Sequence, residues 1–358
     1  MLETKVAGKK IDTDSTKLIY HPGREEEWLQ KGDCFPIYVE LGVTDKCNHR
    51  CTFCALDWVK KGHNDIDPEI MTSAIKDMAS HGVRSVMFGG EGEPIIHREF
   101  PNFVRTAGES KLVTTLTMNG VLFKKGLAEK CLPYLCWARF SVDAGTPQTY
   151  SQVHRTSEHD FQIVLDNIQT SAAIKKEKNL DVSISVQYLL IPSNLSEVIA
   201  LTNLVKEAGA DNIQIKPYSQ HPLSKNKFSL DYSQLTKAGE QLNKLNTDSF
   251  KVIFRETAMQ MLHEKPTYEF CHGLPFFALV DSRGNVIPCN LFYDNPDFVY
   301  GSLYSQSFSE IWKSGQRKAV LERIKTRGIE SCRGGCRLDA SNRHLERLLH
   351  PEKADDVL

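Results

Sequence analysis

Six short apolar segments, each ending in a polar or glycine-containing turn, recur over the first 218 residues and predict buried β-strands. They are rich in β-branched residues and read FPIYVELGV (35–43), VRSVMFGG (83–90), LVTTLTMNG (112–120), WARFSVDA (137–144), LDVSISVQYLLI (180–191) and DNIQIKPY (211–218). Helical periodicity occurs between them, most clearly over 68–80, 160–178 and 194–208. Strands that alternate with helices predict an α/β fold with a parallel sheet and right-handed crossovers.

The pattern changes after residue 218. A polar loop leads into a helical segment over 232–246, and the segments FFALV (276–280) and NVIPC (285–289) predict a hairpin. We therefore expect four parts: a polar, irregular N-terminal extension (1–34), the strand–helix region (35–220), a connecting segment (221–265) and a C-terminal domain (266–358).

The charge balance is close to neutral. Lys and Arg total 44 against 45 Asp and Glu, which argues against a nucleic-acid partner held by bulk positive charge. The longest apolar stretch, 274–280, is too short to cross a bilayer, and the first residues lack a signal region. We expect a cytoplasmic protein with no membrane partner. Residues 313–350, with ten basic and four acidic side chains, are either a solvated helix face or a dock for an acidic reductase or an anionic ligand.

Ten cysteines stand out in this composition. Without a secretory signal they indicate metal or redox chemistry in preference to disulfides. Cys47, Cys51 and Cys54 place three thiolates within eight residues, directly after the first predicted strand. This spacing favours an iron–sulfur cluster with one iron free of protein ligands. The alternative is a zinc site completed by His49 or His63.

A second group of four cysteines lies in the C-terminal part. Its members are Cys271, Cys289, Cys332 and Cys336. Four thiolates are enough for one fully ligated iron–sulfur cluster, with a zinc ion as the alternative. Either centre would also crosslink a small, loop-rich domain. Cys34, Cys131 and Cys136 remain. Cys131 and Cys136 lie in an apolar segment, so packing is their simplest interpretation, whereas Cys34 lies in a polar segment before the first predicted strand.

The first cysteine loop reads CNHRCTFC, with an aromatic residue before its third cysteine. The second predicted strand ends in FGGEGEP, and the fourth in SVDAGTPQTY. This combination resembles the radical SAM superfamily, which implies a partial (β/α)6 TIM-like barrel over about residues 35–220. In that family the loop binds a [4Fe-4S] cluster whose open iron chelates S-adenosylmethionine (SAM). A barrel also explains why these motifs lie at the carboxyl ends of strands.

The resemblance implies further contacts with SAM at these strand ends. The residues concerned are Gly89, Gly90, Gly92, Glu93, Asn119, Ser141, Asp143 and Gln187. Glu93 is preferred as the contact to the SAM amino group because Pro94 follows it, as in the family motif, and Glu91 is then left to face the substrate. The remaining candidates for substrate contacts are Arg155, Lys216, Tyr218 and His221.

The C-terminal cysteines resemble the SPASM extension of some radical SAM enzymes, or its shorter twitch form. That resemblance implies a small α+β domain with one auxiliary [4Fe-4S] cluster. A second extra cluster is not expected, because Arg323 and Thr326 occupy the positions of an upstream cysteine pair. The spacing is similar to the twitch domain of a radical SAM alcohol dehydrogenase from an aminoglycoside pathway.

These resemblances lead to a functional hypothesis. The enzyme would cleave SAM reductively, abstract a hydrogen atom from a small hydroxylated substrate (a sugar, a cyclitol or a nucleotide-linked alcohol) and oxidise its alcohol carbon. The auxiliary cluster would accept the electron, and a flavodoxin- or ferredoxin-type protein would supply the reductant. The alternatives are a radical epimerase that uses Cys34, Cys131 or Cys136 as hydrogen-atom donor, a peptide or protein maturase, and a non-catalytic zinc or electron-carrier module.

Overall fold

The computed structural model describes residues 5–6, 9–10 and 16–353. The strands are β1 (Lys5–Val6), β2 (Lys9–Lys10), β3 (Tyr38–Gly42), β4 (Ser85–Gly89), β5 (Val113–Met118), β6 (Trp137–Ser141), β7 (Ser183–Leu190), β8 (Asn212–Pro217), β9 (Lys251–Phe254), β10 (Phe277–Val280), β11 (Asn285–Ile287) and β12 (Gly301–Ser302). The helices are α1 (Pro22–Lys31), α2 (Pro68–Ser80), α3 (Phe100–Glu109), α4 (Lys125–Cys131), α5 (Pro147–His154), α6 (His159–Glu177), α7 (Val198–Glu207), α8 (Thr236–Asn243), α9 (Glu256–Gln260), α10 (Phe308–Lys313), α11 (Gly315–Arg327) and α12 (Asp339–Leu349).

One sheet of ten strands organises the molecule, in the order β12-β11-β10-β3-β4-β5-β6-β7-β8-β9. The six predicted strands form its centre, β3 to β8, and pair in parallel, so the α/β partial barrel is confirmed. Two parallel strands that the sequence pattern did not place in the barrel extend it, with β9 on β8 and β10 on β3. The hairpin of β10 and β11 is also confirmed, and it continues the barrel sheet.

The alternation of side chains along the strands gives the barrel a polar inner face. In β6, Ala138 and Phe140 are fully buried, whereas Trp137, Arg139 and Ser141 are only partly buried. Successive residues of a strand point to opposite faces, so the first pair packs in the main core and the other three line the concave face. Polar side chains with access to solvent are therefore available inside the barrel.

The helices begin where the sequence supplies caps. The Asp67 carboxylate accepts hydrogen bonds from the backbone N–H groups of Glu69 and Ile70, and Pro68 occupies the first position of α2. The predicted helix over 68–80 is confirmed at both ends. Helix α6 likewise matches the helix predicted over 160–178 to within one residue at each end.

The N-terminal extension is more ordered than the expectation of a polar, irregular segment. Its helix α1 buries Trp28 against the Phe276 ring, at a centroid distance of 5.9 Å. Trp28 is the only buried residue of the helix, so the sequence shows no apolar periodicity there. Cys34 belongs to the same small cluster, whose other members are Leu18, Ile37 and Leu345.

Much of the positive charge of residues 313–350 is used inside the molecule. Arg317 is fully buried and its two terminal nitrogens donate to Asp33 at 2.7 and 2.8 Å. Arg343 pairs with Asp339, also at 2.8 Å. These ion pairs reduce the positive charge that is available to bind an acidic reductase or an anionic ligand. A docking role for this segment stays a prediction. No helix among the described residues is long and apolar enough to span a membrane.

Candidate active site

The first cysteine loop lies between β3 and α2 and is held by the end of α5. The backbone N–H of Arg50 donates to the His154 carbonyl at 3.1 Å, and that of Thr52 donates to the Val153 carbonyl at 2.8 Å. The loop is thus fixed beside the carboxyl end of β6, from which α5 follows. These contacts place the predicted cluster loop at the mouth of the barrel, where barrel enzymes carry their chemistry.

The three thiols of this loop share one neighbourhood. Burial is the main cause that raises the pKa of Cys51 well above the ordinary thiol value, and the nearby Cys54 and Cys47 thiols add to it. Clustering of this kind is costly for free thiolates and suits a cationic metal centre. The donor set therefore fits an iron–sulfur cluster with three protein ligands.

Two histidines lie close to the Cys51 thiol, His49 from the loop itself and His154 from α5. Ligand atoms of His49, Cys51 and His154 lie within 4.8 Å of one another, so His49 is placed as the zinc alternative requires. His63, the other histidine considered, is exposed and adopts a left-handed backbone with φ of 57°. His154 was not predicted as a site residue, because it lies 103 positions away from Cys51 and only the fold brings them together.

The glycines after β4 allow two backbone segments to touch. A Cβ atom on Gly92 would lie 2.2 Å from the Thr44 carbonyl oxygen, which no side chain tolerates. Gly90 adopts a φ of 100°, and its Cβ would meet the Gly42 Cα at 2.8 Å. Because of this close approach, the Glu93 N–H donates to the Lys46 carbonyl at 2.8 Å. The turn is therefore joined directly to the cysteine loop.

Glu93 presents a buried carboxylate at this junction. Its Oε2 accepts a hydrogen bond from the Asn119 N–H at 2.6 Å, while its Oε1 has no hydrogen-bond partner among the described residues. Burial raises the pKa of Glu93 to about 8. The side-chain amide of Asn119 in turn donates to the Asn48 side-chain oxygen, in the cysteine loop, at 2.7 Å. An orphaned acceptor beside the thiols fits an ammonium group such as that of SAM.

Glu91 points in the opposite direction, toward the C-terminal hairpin. Its Oε1 accepts a hydrogen bond from the Ser282 N–H at 2.8 Å, and its backbone carbonyl accepts one from the Lys61 ammonium. Burial is the main cause that raises the pKa of the Tyr293 phenol, and the nearby Glu91 carboxylate is the second. The structure thus separates the two glutamates that the sequence left ambiguous, with Glu93 at the cysteine loop and Glu91 in the joint with the hairpin. A substrate role for Glu91 stays a prediction.

The remaining predicted SAM contacts line the neighbouring strand ends. Asp143 is fully buried, accepts from the Leu189 N–H at 2.5 Å, and has its pKa raised to about 7 by burial. Ser141 and Gln187 are register partners on adjacent strands and are both partly exposed on the concave face. Gly89 lies at the end of β4. The fold therefore gathers these residues around one opening, and their roles stay predictions.

A group of cations converges on the concave face, and we refer to Arg139, Lys216, Arg333 and Arg337 as the basic group. Burial lowers the pKa of Lys216 to about 7, and the other three members lower it further by repulsion. Arg337 pairs with Glu40. Among the residues that the structure describes, the other three members have no carboxylate at ion-pair distance, and the Arg139 Nε has no hydrogen-bond partner. Partly buried cations without a carboxylate partner favour an anionic ligand.

Only Lys216 of the basic group was among the predicted site residues. Arg139 could have been found from its place in the alternation of β6, once that strand was known to face the barrel interior. Arg333 and Arg337 come from the CRGGCR segment of the C-terminal part, and nothing in the local sequence indicates that this segment covers the barrel. The Ser219 hydroxyl, which follows β8, donates to the Gly334 carbonyl at 2.5 Å and fixes the segment there.

The other proposed substrate contacts lie at different depths. Tyr218 is buried, with its ring 5.0 Å from Phe228, and burial raises its pKa. His221 is fully buried, stacks on Trp58 at 5.4 Å, and has its pKa lowered to about 4 by burial and by the Arg333 charge. Arg155 is exposed and ends α5 in a left-handed conformation with φ of 51°. Of the three, Arg155 is the one that the structure leaves on the outer surface.

The four C-terminal cysteines also share one neighbourhood. Burial is the main cause that raises the pKa of Cys271, and the Cys336 thiol is the second. The Cys289 and Cys332 thiols add smaller effects. Asn342 of α12 donates to the Cys271 sulfur at 3.5 Å. The fold thereby brings together thiols that are up to 65 positions apart, which fits a single centre with four ligands. Cys332 is the exposed member.

None of the three leftover cysteines lies at the barrel mouth. Cys34 is packed in the small cluster around Trp28, where its thiol lies 3.6 Å from the Pro275 carbonyl. Cys131 is fully buried at the end of α4, and the exposed Cys136 precedes the amino end of β6. These positions give no support to a thiol that returns a hydrogen atom to a substrate radical.

Comparison with protein families identifies both halves of the chain. The Radical SAM superfamily model matches residues 41–205, and the SPASM iron–sulfur cluster-binding domain model matches residues 271–337. The chain therefore contains a radical SAM domain followed by a SPASM domain. Its cofactors are SAM, a [4Fe-4S] cluster with an open iron and an auxiliary iron–sulfur cluster, as the sequence predicts. The alternative of a non-catalytic zinc or electron-carrier module is wrong.

The curated relatives carry a common name. A GTP 3′,8-cyclase of Campylobacter fetus is 29% identical over 80% of this chain and 86% of its own length. A probable GTP 3′,8-cyclase of Methanosarcina mazei is 24% identical over 72% of this chain and 78% of its own length. The prediction of an enzyme that oxidises an alcohol carbon is wrong, because these relatives are named cyclases. A cysteine spacing indicates which metal centre is held and does not specify the reaction that the enzyme performs.

Solved structures support the fold. Streptococcus suis SuiB bound to its precursor peptide SuiA has a TM-score of 0.67 at 17% identity, covering 86% of this chain and 71% of that one. The anSMEcpe enzyme with bound AdoMet has a TM-score of 0.56 at 17% identity, covering 87% and 96%. At this level of identity the likeness establishes a shared architecture and nothing about the substrate.

Proposed function

We propose that Cys47, Cys51 and Cys54 hold the open-iron cluster and that Cys271, Cys289, Cys332 and Cys336 hold the auxiliary cluster. Glu93 is proposed to bind the ammonium group of SAM, since its free Oε1 lies where the glycine turn meets the cysteine loop. The reduced cluster and SAM, when bound, supply a 5′-deoxyadenosyl radical that abstracts a hydrogen atom. The protein itself binds, orients and shields the reactants.

We propose further that the substrate is an anionic nucleotide whose phosphates bind the basic group, with GTP as the first candidate. The observation that carries this proposal is the presence of three cations on the concave face, Arg139, Lys216 and Arg333, without a carboxylate partner among the described residues. Arginine and lysine are the usual ligands of phosphate oxygens in proteins. GTP is chosen because it is the substrate named for the relatives.

Equilibrium binding tests this proposal directly. We expect the reconstituted enzyme to bind GTP at least tenfold more tightly than guanosine, since a charged hydrogen bond contributes about 1.5–3 kcal/mol. Arg139→Gln or Arg333→Gln should weaken the binding of GTP at least tenfold and leave the affinity for guanosine unchanged. The matched control is Arg98→Gln, because the Arg98 side chain is 94% exposed. Equal affinity for GTP and guanosine, or equal losses in all three variants, would contradict the proposal.

The affinity for GTP should also depend on pH. Because burial and the neighbouring guanidinium groups lower the pKa of Lys216 to about 7, this side chain loses its charge as the pH rises above 7. GTP binding to the wild-type enzyme should therefore weaken from pH 6.5 to pH 8.5. Lys216→Arg keeps its charge over this range and should bind GTP with a weaker pH dependence than the wild type, the remainder arising from Asp143, whose pKa burial raises to about 7. An unchanged pH profile in this variant would show that another group titrates.

A further inference from the structure

The His154 ring connects the end of β6 to the first cysteine loop. Its side chain is 1% exposed, and the backbone N–H of Asp143 donates a hydrogen bond to its Nε2 at 3.3 Å. Its Nδ1 lies 3.3 Å from the Cys51 sulfur, within hydrogen-bond distance. The ring thus bridges a backbone amide and a thiol.

The backbone contact determines which ring nitrogen carries the proton. A nitrogen that accepts a hydrogen bond has no proton of its own, and a backbone N–H can only donate. The Asp143 carboxylate oxygen lies 3.7 Å from Nε2, beyond hydrogen-bond distance, so the backbone N–H is the hydrogen-bond partner of this nitrogen. Nε2 is therefore unprotonated, the ring is neutral, and its single proton resides on Nδ1. Since Nδ1 faces Cys51, the hydrogen bond runs from the His154 Nδ1–H to the sulfur.

The surroundings hold the ring in this orientation. Tyr150 packs against it at a centroid distance of 4.2 Å, and Phe53 meets it edge-on at 5.2 Å. The Asn194 amide donates to the Asp143 carbonyl at 2.8 Å, which fixes the peptide next to the donor. The His154 backbone carbonyl itself accepts from the cysteine loop. A ring flip would break the contacts of both nitrogens at once.

We propose that His154 is a positioning residue that donates an N–H···S hydrogen bond to the Cys51 thiolate and thereby raises the reduction potential of the open-iron cluster. The inference rests on the proposed assignment of Cys51 as a cluster ligand. Reduction adds one negative charge to the cluster and its sulfurs, and a hydrogen-bond donor stabilises that state more than the oxidised state. Nothing in the sequence around His154 indicates this role.

A redox titration followed by electron paramagnetic resonance tests the inference on the reconstituted holoenzyme. His154→Phe removes the donor and keeps a planar ring, and at a fixed potential its ratio of reduced to oxidised cluster should fall about tenfold, the effect of a hydrogen bond worth about 1.4 kcal/mol. His154→Asn keeps an N–H donor near the Nδ1 position and should restore most of the ratio. Tyr150→Phe, which removes only a neighbouring hydroxyl, should match the wild type.

A second measurement decides the matter if His154→Phe does not assemble its cluster. In wild-type enzyme with ring-¹⁵N-labelled histidine, electron–nuclear double resonance on the reduced cluster should detect a ¹⁵N coupling carried across the hydrogen bond. Absence of this coupling, or a wild-type potential in His154→Phe with full iron content, would overturn the role of His154 alone. A Cys51→Ala variant that keeps a SAM-responsive cluster signal would instead overturn the ligand assignment.

Discussion

Replacing Cys47, Cys51 and Cys54 together with alanine should abolish formation of 5′-deoxyadenosine and reduce the iron content from about eight to about four atoms per chain. The three thiols share one neighbourhood on a loop that α5 and the glycine turn hold at the barrel mouth. Because the C-terminal cysteines lie on different elements, their centre should survive the substitution. Iron and sulfide analysis, together with chromatography of the SAM cleavage products, measures both effects.

Cys136→Ala is the matched control for the triple variant. Cys136 is an exposed cysteine that precedes β6, at the end of the strand away from the mouth. We expect this variant to keep its iron and its SAM cleavage. A triple variant that still forms 5′-deoxyadenosine, or one that loses all its iron while remaining folded, would contradict the assignment of two independent centres.

Gly92→Ala should disrupt SAM binding and destabilise the fold. The added Cβ would lie 2.2 Å from the Thr44 carbonyl oxygen and 2.6 Å from that of Lys46, and neither backbone atom can move alone. The turn must shift, and overpacking of this kind costs about 1–3 kcal/mol of unfolding free energy. Since Glu93 is the next residue, its carboxylate moves with the turn. We expect SAM affinity to fall by more than tenfold.

Gly126→Ala serves as the control for this substitution. Gly126 lies in α4, and a Cβ atom added there would have no atom of the described residues within 4 Å. Alanine is the better helix former by about 1 kcal/mol, so this variant should be as stable as the wild type or more so. Chemical denaturation and SAM titration compare the two variants. Wild-type SAM affinity in Gly92→Ala would show that the turn does not position the SAM site.

The central sheet could be predicted because its strands are continuous apolar segments that follow simple local rules. The six strands and α2 are confirmed, as is the hairpin of β10 and β11. Strand β9 has only four residues, KVIF, which carry too little pattern to be recognised. The parallel pairing of β10 with β3 joins positions about 240 residues apart, and no local signal encodes it.

The same distinction between local patterns and long-range contacts applies to the candidate site. The cysteines and Glu93 belong to short motifs, so the sequence is enough to nominate them. The basic group requires β6, β8 and the CRGGCR segment to meet, and His154 requires α5 to fold back on the cysteine loop. Side chains from such distant positions converge only through the tertiary fold, which is why a sequence pattern indicated the cofactor chemistry but assigned the wrong reaction.

The most direct test of the account uses GTP deuterated on its ribose carbons, incubated with reduced enzyme and SAM. Mass spectrometry of the 5′-deoxyadenosine then reports whether the radical takes a hydrogen atom from this substrate. We expect 5′-deoxyadenosine that carries deuterium, formed faster with GTP than without it. Unlabelled 5′-deoxyadenosine, formed at the same rate in the absence of GTP, would contradict the proposal of a nucleotide substrate bound at the basic group.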